Sequence, residues 1–276
     1  MVRSPHLRSL AYLSVGDSAG PVEVIEACAA AGFDGVGLRL AAPLGLELAH
    51  PVVGRPATVR AIRAAAAHTG VRVFDGEVIT LTPDTNVADL LPLLSTLAEL
   101  DCPLMQITSE DPEWHRAVDN FARLCEQARR FGVRMAFEFM RWRSVKTFED
   151  ALALVEQAGQ PNGGIVLDAL HLSRSGGSPA AVAAAPRERL LYVQLCDAAD
   201  PVPQTGPALI AEARGARRYP GEGSLWLDAL LDVLPPGIPI SLEVPQPPSG
   251  LPLRERVRRG AASLDAWLAR RPARAA

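Results

Sequence analysis

Four lone polar side chains interrupt four successive apolar runs in the second half of the chain. Glu138 lies in Phe-Glu-Phe, Asp168 follows Val-Leu, Gln194 lies in Val-Gln-Leu and Glu243 lies in Leu-Glu-Val. A buried acid or amide is costly unless it is paired. If these runs are parallel strands, their carboxyl ends meet at one face of the fold. Three carboxylates and one amide would then converge there.

Such a cluster can be neutralised in two ways. The acids can pair with arginines, for which Arg39, Arg141 and Arg143 are candidates, or they can bind a divalent cation. An amide oxygen among three acids is a further oxygen donor, so we favour the metal site. A purely structural network of ion pairs is the alternative interpretation, because such networks also shift the pKa values of acids.

Other candidate site residues lie close to the ends of the same predicted strands. His171 comes three residues after Asp168, which places it beside the acidic cluster. Four more side chains could bind substrate hydroxyls or wall the pocket, and equally could be structural: Arg39, Glu77, Gln106 and Trp142.

The elements that must position these residues repeat a simple pattern. Eight short apolar runs lie at 10–15, 35–40, 71–74, 103–107, 134–139, 164–167, 190–195 and 238–244. Helical patterns follow them at 22–31, 58–68, 87–100, 113–131, 148–158, 179–189, 225–234 and 253–269. Runs without alternation are typical of strands buried on both faces. Eight such units predict a single (β/α)8 TIM barrel over 1–276, with a frayed tail at 270–276.

Two features refine this prediction. An open doubly wound sheet competes with the barrel, but no GxGxxG follows the first run. Proline-rich stretches at 41–57 and 198–224 interrupt the alternation and predict long loops at the carboxyl-end face, where substrate loops occur.

Composition excludes several classes of function. The 276 residues carry 28 Lys and Arg against 31 Asp and Glu, a net charge of −3, so no basic field predicts nucleic-acid or membrane partners. No stretch has the ~20 apolar residues of a membrane helix. The four scattered cysteines form no CxxC pair and indicate buried, reduced thiols. We therefore expect a cytoplasmic protein.

The motifs resemble those of the xylose isomerase-like barrels of the sugar-phosphate isomerase/epimerase group. The similarity spans the βα order and is most specific in Phe-Glu138-Phe, Leu-Asp168-Ala-Leu-His171, Tyr-Val-Gln194-Leu-Cys-Asp, Tyr-Pro-Gly-Glu-Gly and Ser-Leu-Glu243-Val.

This resemblance implies a divalent-metal site made by Glu138, Asp168, Gln194 and Glu243, with Glu138 and Glu243 also acting as the acid/base pair. It implies that His171 contacts substrate, as does a basic residue before the Pro-Gly turn, Arg217 or Arg218. The all-oxygen ligand set favours Mn²⁺ or Mg²⁺ over Zn²⁺ or Co²⁺. Members often form dimers, which makes a homodimer an expectation.

The implied activity is proton abstraction next to the carbonyl of a sugar, keto-sugar or polyol-derived substrate, and thus isomerisation or epimerisation. Many epimerases of the group have histidine where this chain has Gln194, whereas some dehydratases of 3-dehydroshikimate have glutamine. A dehydratase of the 3-dehydroshikimate or inosose type is therefore the main alternative. A non-catalytic barrel that binds a small ligand is the other. DNA-repair endonucleases of the group need a histidine-rich zinc site, which this sequence lacks.

Overall fold

Eight parallel strands pair in chain order, and the eighth returns to the first, so the sheet closes into a barrel. The computed structural model describes residues 6–42, 45–246 and 250–271. The strands are β1 (Arg8–Leu10), β2 (Gly35–Arg39), β3 (Arg72–Leu81), β4 (Leu104–Ser109), β5 (Arg134–Phe137), β6 (Gly163–Asp168), β7 (Leu190–Leu195) and β8 (Ile240–Leu242). The predicted (β/α)8 barrel is confirmed.

The helices cover the outside of this barrel. They are α1 (Pro21–Ala31), α2 (Pro56–Thr69), α3 (Leu91–Glu99), α4 (Trp114–Arg129), α5 (Phe148–Ala158), α6 (Ala169–Arg174), α7 (Pro179–Ala183), α8 (Gly206–Gly215), α9 (Leu227–Val233) and α10 (Leu253–Arg270). The main hydrophobic core fills the layer between sheet and helices. No helix in the described ranges is both long and apolar enough to span a membrane.

The interior of the barrel holds a smaller apolar cluster below a polar layer. Phe74, Leu104, Ala136, Val166 and Tyr192 come from five successive strands and pack together. Phe74 and Tyr192 meet edge to face, with ring centroids 5.2 Å apart. Side chains alternate between the two faces of a strand. The polar residues two positions further along β5, β6 and β7 therefore lie above this cluster, at the carboxyl ends of the strands.

Two predicted elements are wrong. The first apolar run does not form a strand over 10–15, because β1 ends at Leu10 and a 3-10 turn follows at Tyr12–Ser14. The stretch 198–224 is not wholly a loop, because it contains α8, whose first turn includes Pro207. Proline is compatible with the first turn of a helix, where its missing N–H is not needed.

Some predictions fall partly outside the described residues. Positions 43–44 of the 41–57 loop and 272–276 of the tail are among those that the structure does not describe. The described residues 45–55 contain no helix or strand, as predicted for a loop, and α2 begins at Pro56.

Candidate active site

The ends of β5 to β8 place the predicted polar residues on one side of the barrel. Asp168 is the last residue of β6 and caps α6, because its Oδ1 accepts a hydrogen bond from the backbone N–H of His171 at 3.0 Å. The three-residue spacing thus places His171 in the first turn of α6, beside Asp168. Gln194 is in register with Asp168, and Glu243 directly follows β8.

Glu138, Asp168 and His171 form a compact group of buried side chains. One potential ligand atom from each lies within 4.8 Å of the others. The Nε2 atom of His171 is 3.5 Å from Oε1 of Glu138. Two carboxylates and an imidazole at this separation suit a divalent cation. The arrangement therefore makes His171 a candidate ligand as well as a candidate substrate contact.

Arg217 connects this group to Glu243. Its Nη1 atom lies 2.6 Å from Oδ2 of Asp168 and 3.1 Å from Oε2 of Glu243. Its Nε atom donates to the carbonyl oxygen of Ala213 at 2.9 Å. The Arg217 side chain is 1% exposed, so both ion pairs are shielded from solvent. Buried pairs of this kind are held tightly, because either partner alone would leave an uncompensated charge.

Gln194 is fully buried, and neither its amide oxygen nor its amide nitrogen makes a hydrogen bond within the described part of the chain. Its neighbours in register are Asp168 on β6 and Ser241 on β8. A buried amide without a partner is costly, and such groups are rare in folded proteins. An oxygen donor in this position, one strand from Asp168, fits the metal ligand that the resemblance implies.

A cavity of about 340 Å³ opens above these residues. Glu138, His171, Arg217 and Glu243 line it. Trp142 forms one wall and meets the His171 ring edge to face, with centroids 5.1 Å apart. Residues 46–48 from the 41–57 loop and residues 213, 214 and 217 from the 198–224 stretch also line the cavity.

The opposite wall is built around Glu77. Its Oε1 accepts from the backbone N–H of Tyr12 at 3.1 Å, and its Oε2 lies 3.3 Å from Nη2 of Arg39. The Arg39 guanidinium stacks over the Tyr12 ring at 4.6 Å. Gly37 is required beside this group, because a Cβ atom there would lie 2.7 Å from Oδ1 of Asp75.

The buried groups around the cavity carry an excess of negative charge. Among the described residues, the carboxylates of Glu77, Glu138, Asp168 and Glu243 face two guanidinium groups, those of Arg39 and Arg217. With all four carboxylates ionised, these groups carry a formal net charge of −2. One divalent cation would neutralise this charge, which fits the unpaired amide oxygen of Gln194 and the oxygen-rich donor set.

The electrostatics of the individual groups reflect this excess. Burial raises the pKa of Glu138 and of Glu243 well above the usual range, and the Asp168 charge adds to both shifts. Burial is the largest influence on Asp168 and would raise its pKa, but the Arg217 charge, together with His171 and the hydrogen bonds to Arg217 and Glu243, lowers the pKa overall. Burial lowers the pKa of His171 to about 4, so this histidine is neutral at pH 7.

A second buried acid, which the sequence reasoning missed, lies deeper in the barrel. Asp75 accepts a hydrogen bond from the Tyr192 hydroxyl at 2.8 Å. Burial, and then the charge of Glu77, raise the pKa of Asp75 to about 8. Its position two residues before Glu77 was the available signal, since residues i and i+2 of a strand point to the same side.

The raised pKa of the buried Asp75 leads us to predict that the stability of the protein depends on pH. At pH 7 folded Asp75 keeps a proton that the unfolded chain loses above the ordinary pKa of 3.8. Stability therefore falls as pH rises between that value and about 8, with a slope of up to ~1.4 kcal/mol per pH unit from this group. Asp75→Asn removes the titrating group and can still accept from Tyr192.

Urea unfolding of both proteins at several pH values checks this prediction. The free energy of unfolding of Asp75→Asn, relative to that of the wild type, should increase from pH 5 to pH 8. Asp89→Asn, at an exposed site, should show no such trend. Parallel stability profiles for Asp75→Asn and the wild type would show that Asp75 is already charged in the folded protein.

The remaining predicted residues lie in different places. Gln106 lines the cavity and hydrogen-bonds to Glu138, while its Oε1 has no hydrogen-bond partner among the described residues. Arg218 is exposed, and its Nη1 donates to the backbone oxygen of Glu222, so Arg217 is the arginine that reaches the site. Tyr12 and Arg214 line the cavity and were not predicted. Tyr12 lies in the wrongly assigned first strand, and Arg214 in the unpredicted α8.

Comparison with known proteins identifies the family. The family model described as xylose isomerase-like TIM barrel matches residues 25–267. A 3-dehydroshikimate dehydratase of Pseudomonas aeruginosa is 31% identical over 264 residues, which cover 86% of this chain and 38% of that protein. The chain thus spans well under half of that relative's length. An inosose isomerase of Halalkalibacterium halodurans is 30% identical over 120 residues, 42% of this chain and 40% of that protein.

A solved structure gives the same result. A xylose isomerase-like TIM barrel/4-hydroxyphenylpyruvate dioxygenase fusion protein is 25% identical to this chain and superposes with a TM-score of 0.79. The match covers 95% of this chain and 42% of the fusion protein. With eight parallel strands closed into a barrel and a family match over most of its length, this chain belongs to the xylose isomerase-like TIM barrel family.

Proposed function

We propose that this protein is a divalent-metal-dependent enzyme that removes a proton next to the carbonyl of a polyhydroxylated ketone. The observation that carries the proposal is the buried group of Glu138, Asp168 and His171, of which Glu138 and His171 line the cavity. It lies beside the buried Gln194, and the acids around it are not neutralised by the nearby arginines. The metal ligands we propose are Glu138, Asp168, Gln194 and Glu243, and Mn²⁺ or Mg²⁺ suits their oxygens.

A divalent ion held there would polarise the substrate carbonyl and stabilise the negative charge that forms when the proton leaves. The side chains of the protein supply the proton transfers. Glu138 and Glu243 both line the cavity, so one can accept the proton from carbon while the other returns a proton to the product. His171 is neutral at pH 7, and its Nδ1 makes no hydrogen bond within the described residues, so it can bind a substrate hydroxyl.

Dehydration is the outcome that the comparisons favour. The proton leaves the carbon next to the carbonyl, the hydroxyl on the adjacent carbon leaves with a proton as water, and a conjugated product remains. The relative that matches 86% of the chain is named as a 3-dehydroshikimate dehydratase. Gln194 is compatible with dehydration, because the resemblance described above includes 3-dehydroshikimate dehydratases that have glutamine at this position. This reverses the order that the sequence alone favoured, in which isomerisation came first.

Isomerisation or epimerisation is the second candidate, and the match to an inosose isomerase favours it. It begins with the same proton abstraction, and the proton returns to the opposite face or to the neighbouring carbon. The substrate is then a keto-sugar or an inosose. The proposed ligands serve both reactions equally, so the substrate must decide between them.

A substrate screen with metal-supplemented protein tests the proposal. Purified protein with Mn²⁺ or Mg²⁺ would be incubated with 3-dehydroshikimate, inososes and keto-sugars. We expect rising ultraviolet absorbance from a conjugated product with 3-dehydroshikimate, and no reaction after treatment with a chelator. Isomerised products without an absorbance change would favour the second candidate. A protein that binds no divalent ion and converts none of these compounds would support the non-catalytic barrel instead.

A further inference from the structure

The Arg217 guanidinium contacts two of the four proposed metal ligands with a single nitrogen atom. Nη1 is 2.6 Å from Oδ2 of Asp168 and 3.1 Å from Oε2 of Glu243. One positively charged group thus lies between two carboxylates of different strands. A metal ion coordinated by both Asp168 and Glu243 would also have to lie between these two carboxylates.

A divalent ion and this guanidinium cannot share the two oxygens without a change in geometry. Carboxylate oxygens coordinate Mg²⁺ at ~2.0–2.1 Å. An ion bound to Oδ2 of Asp168 and Oε2 of Glu243 would lie close to Nη1, which is 2.6 and 3.1 Å from the same two oxygens, so two positive charges would be neighbours. The other oxygen of Asp168 already accepts the backbone N–H of His171 at 3.0 Å. The Arg217 guanidinium and a divalent ion would therefore compete for the same two oxygens.

The Arg217 guanidinium makes a further hydrogen bond, and the side chain borders the cavity. Its Nε donates to the carbonyl of Ala213 in α8. That helix is tied to α6 by a bidentate pair, in which Nε and Nη2 of Arg174 lie 2.9 and 2.7 Å from the two carboxylate oxygens of Glu212. The Arg217 side chain lines the 340 Å³ cavity, which is the open space next to it.

We propose that Arg217 competes with the divalent ion for Asp168 and Glu243, so that metal binding withdraws the guanidinium from these carboxylates into the cavity. The inference rests on the metal site proposed above. It means that part of the intrinsic metal affinity is used to break two buried ion pairs. It also means that metal binding delivers a positive charge to the space that the substrate enters.

An alternative role for Arg217 predicts the opposite effect. If Arg217 merely orients Asp168 and Glu243 as ligands, its removal should weaken metal binding, as loss of such supporting partners does in other metal sites, by ~10–100-fold. Competition instead predicts that removal strengthens binding, because the ion no longer displaces a cation and no longer lies beside one. The sign of the change in metal affinity separates the two roles.

The experiment is a calorimetric titration of chelator-stripped protein with Mn²⁺. Arg217→Gln should bind Mn²⁺ at least ~10-fold more tightly than the wild type, because the ion no longer meets an adjacent like charge in a buried site. Arg218→Gln is the matched control, because it removes one positive charge from the adjacent, exposed position. Its dissociation constant should stay within ~2-fold of the wild type.

Each outcome decides the inference. Equal or weaker binding by Arg217→Gln, with a wild type that binds Mn²⁺, would overturn the competition and leave the proposed metal site standing. Binding by Arg217→Gln but not by the wild type would support the competition. Binding by neither would overturn both proposals. If circular dichroism shows that Arg217→Gln is unfolded, Arg217→Lys replaces it. The Arg217→Lys protein, whose ammonium group is carried on a shorter side chain, should also bind Mn²⁺ more tightly than the wild type. Weaker binding by this variant would overturn the inference.

Discussion

Replacing Glu243 by glutamine should lower turnover by ~10²–10⁴-fold, the range that general acid–base groups contribute. Glu243 lines the cavity, follows β8 directly and is 2% exposed. The amide keeps the shape of the side chain and an oxygen donor for the ion. It cannot hold a transferable proton at the pKa of a carboxyl group, so the chemical step fails while the fold persists.

The measurement is the initial rate on the best substrate of the screen, with metal content and circular dichroism recorded for the same samples. Glu222→Gln is the control, because Glu222 is an exposed residue of the same charge on the neighbouring segment, and its turnover should match the wild type. Full activity in Glu243→Gln would remove Glu243 from the acid/base pair and leave the proton transfers to Glu138 and His171.

Replacing Asp168 by asparagine should lower the free energy of unfolding by ~3 kcal/mol, because it removes the closer of the two carboxylates that neutralise the buried Arg217 charge. Asp168 is fully buried, pairs with Arg217 at 2.6 Å and caps α6. The asparagine oxygen can still cap the helix, so the loss isolates the ion pair. Metal binding should be lost as well.

Urea unfolding of metal-free protein checks this value. Glu255→Gln is the control, since it breaks an ion pair with Arg258 at 2.7 Å between side chains that are 37% and 64% exposed. Exposed pairs contribute little, so this variant should unfold at nearly the wild-type urea concentration. If Asp168→Asn were as stable as Glu255→Gln, Arg217 would not be held by a buried charge, and the competition for the ligands would lose its basis.

Some elements of the barrel could be predicted closely from the sequence and others could not. The strand at 190–195 and the helix at 148–158 have the predicted bounds. The strand at 190–195 is an apolar run with one polar residue, as expected for a strand that is buried on both faces. The strand predicted at 71–74 extends to 81, because Asp75 and Glu77 face the polar interior of the barrel and break the apolar pattern.

The site was predictable only where local spacing fixes it. Asp168 and His171 meet because a helix cap requires a three-residue step, and this spacing is visible in the sequence. The contact between Arg217 and Asp168 joins residues 49 positions apart and depends on the path of the chain after α8. Sequence resemblance left Arg217 and Arg218 as equal candidates. The side chains diverge because Arg218 pairs its backbone with Asp197, which directs its side chain to the surface.

Anomalous diffraction from crystals of the protein grown with Mn²⁺ would show where the ion binds. We expect one strong peak within ~2.3 Å of oxygens of Glu138, Asp168, Gln194 and Glu243, with the Arg217 guanidinium withdrawn from Asp168. A protein with no peak among these side chains, and with Arg217 still bridging Asp168 and Glu243 at saturating Mn²⁺, would contradict the proposed metal site.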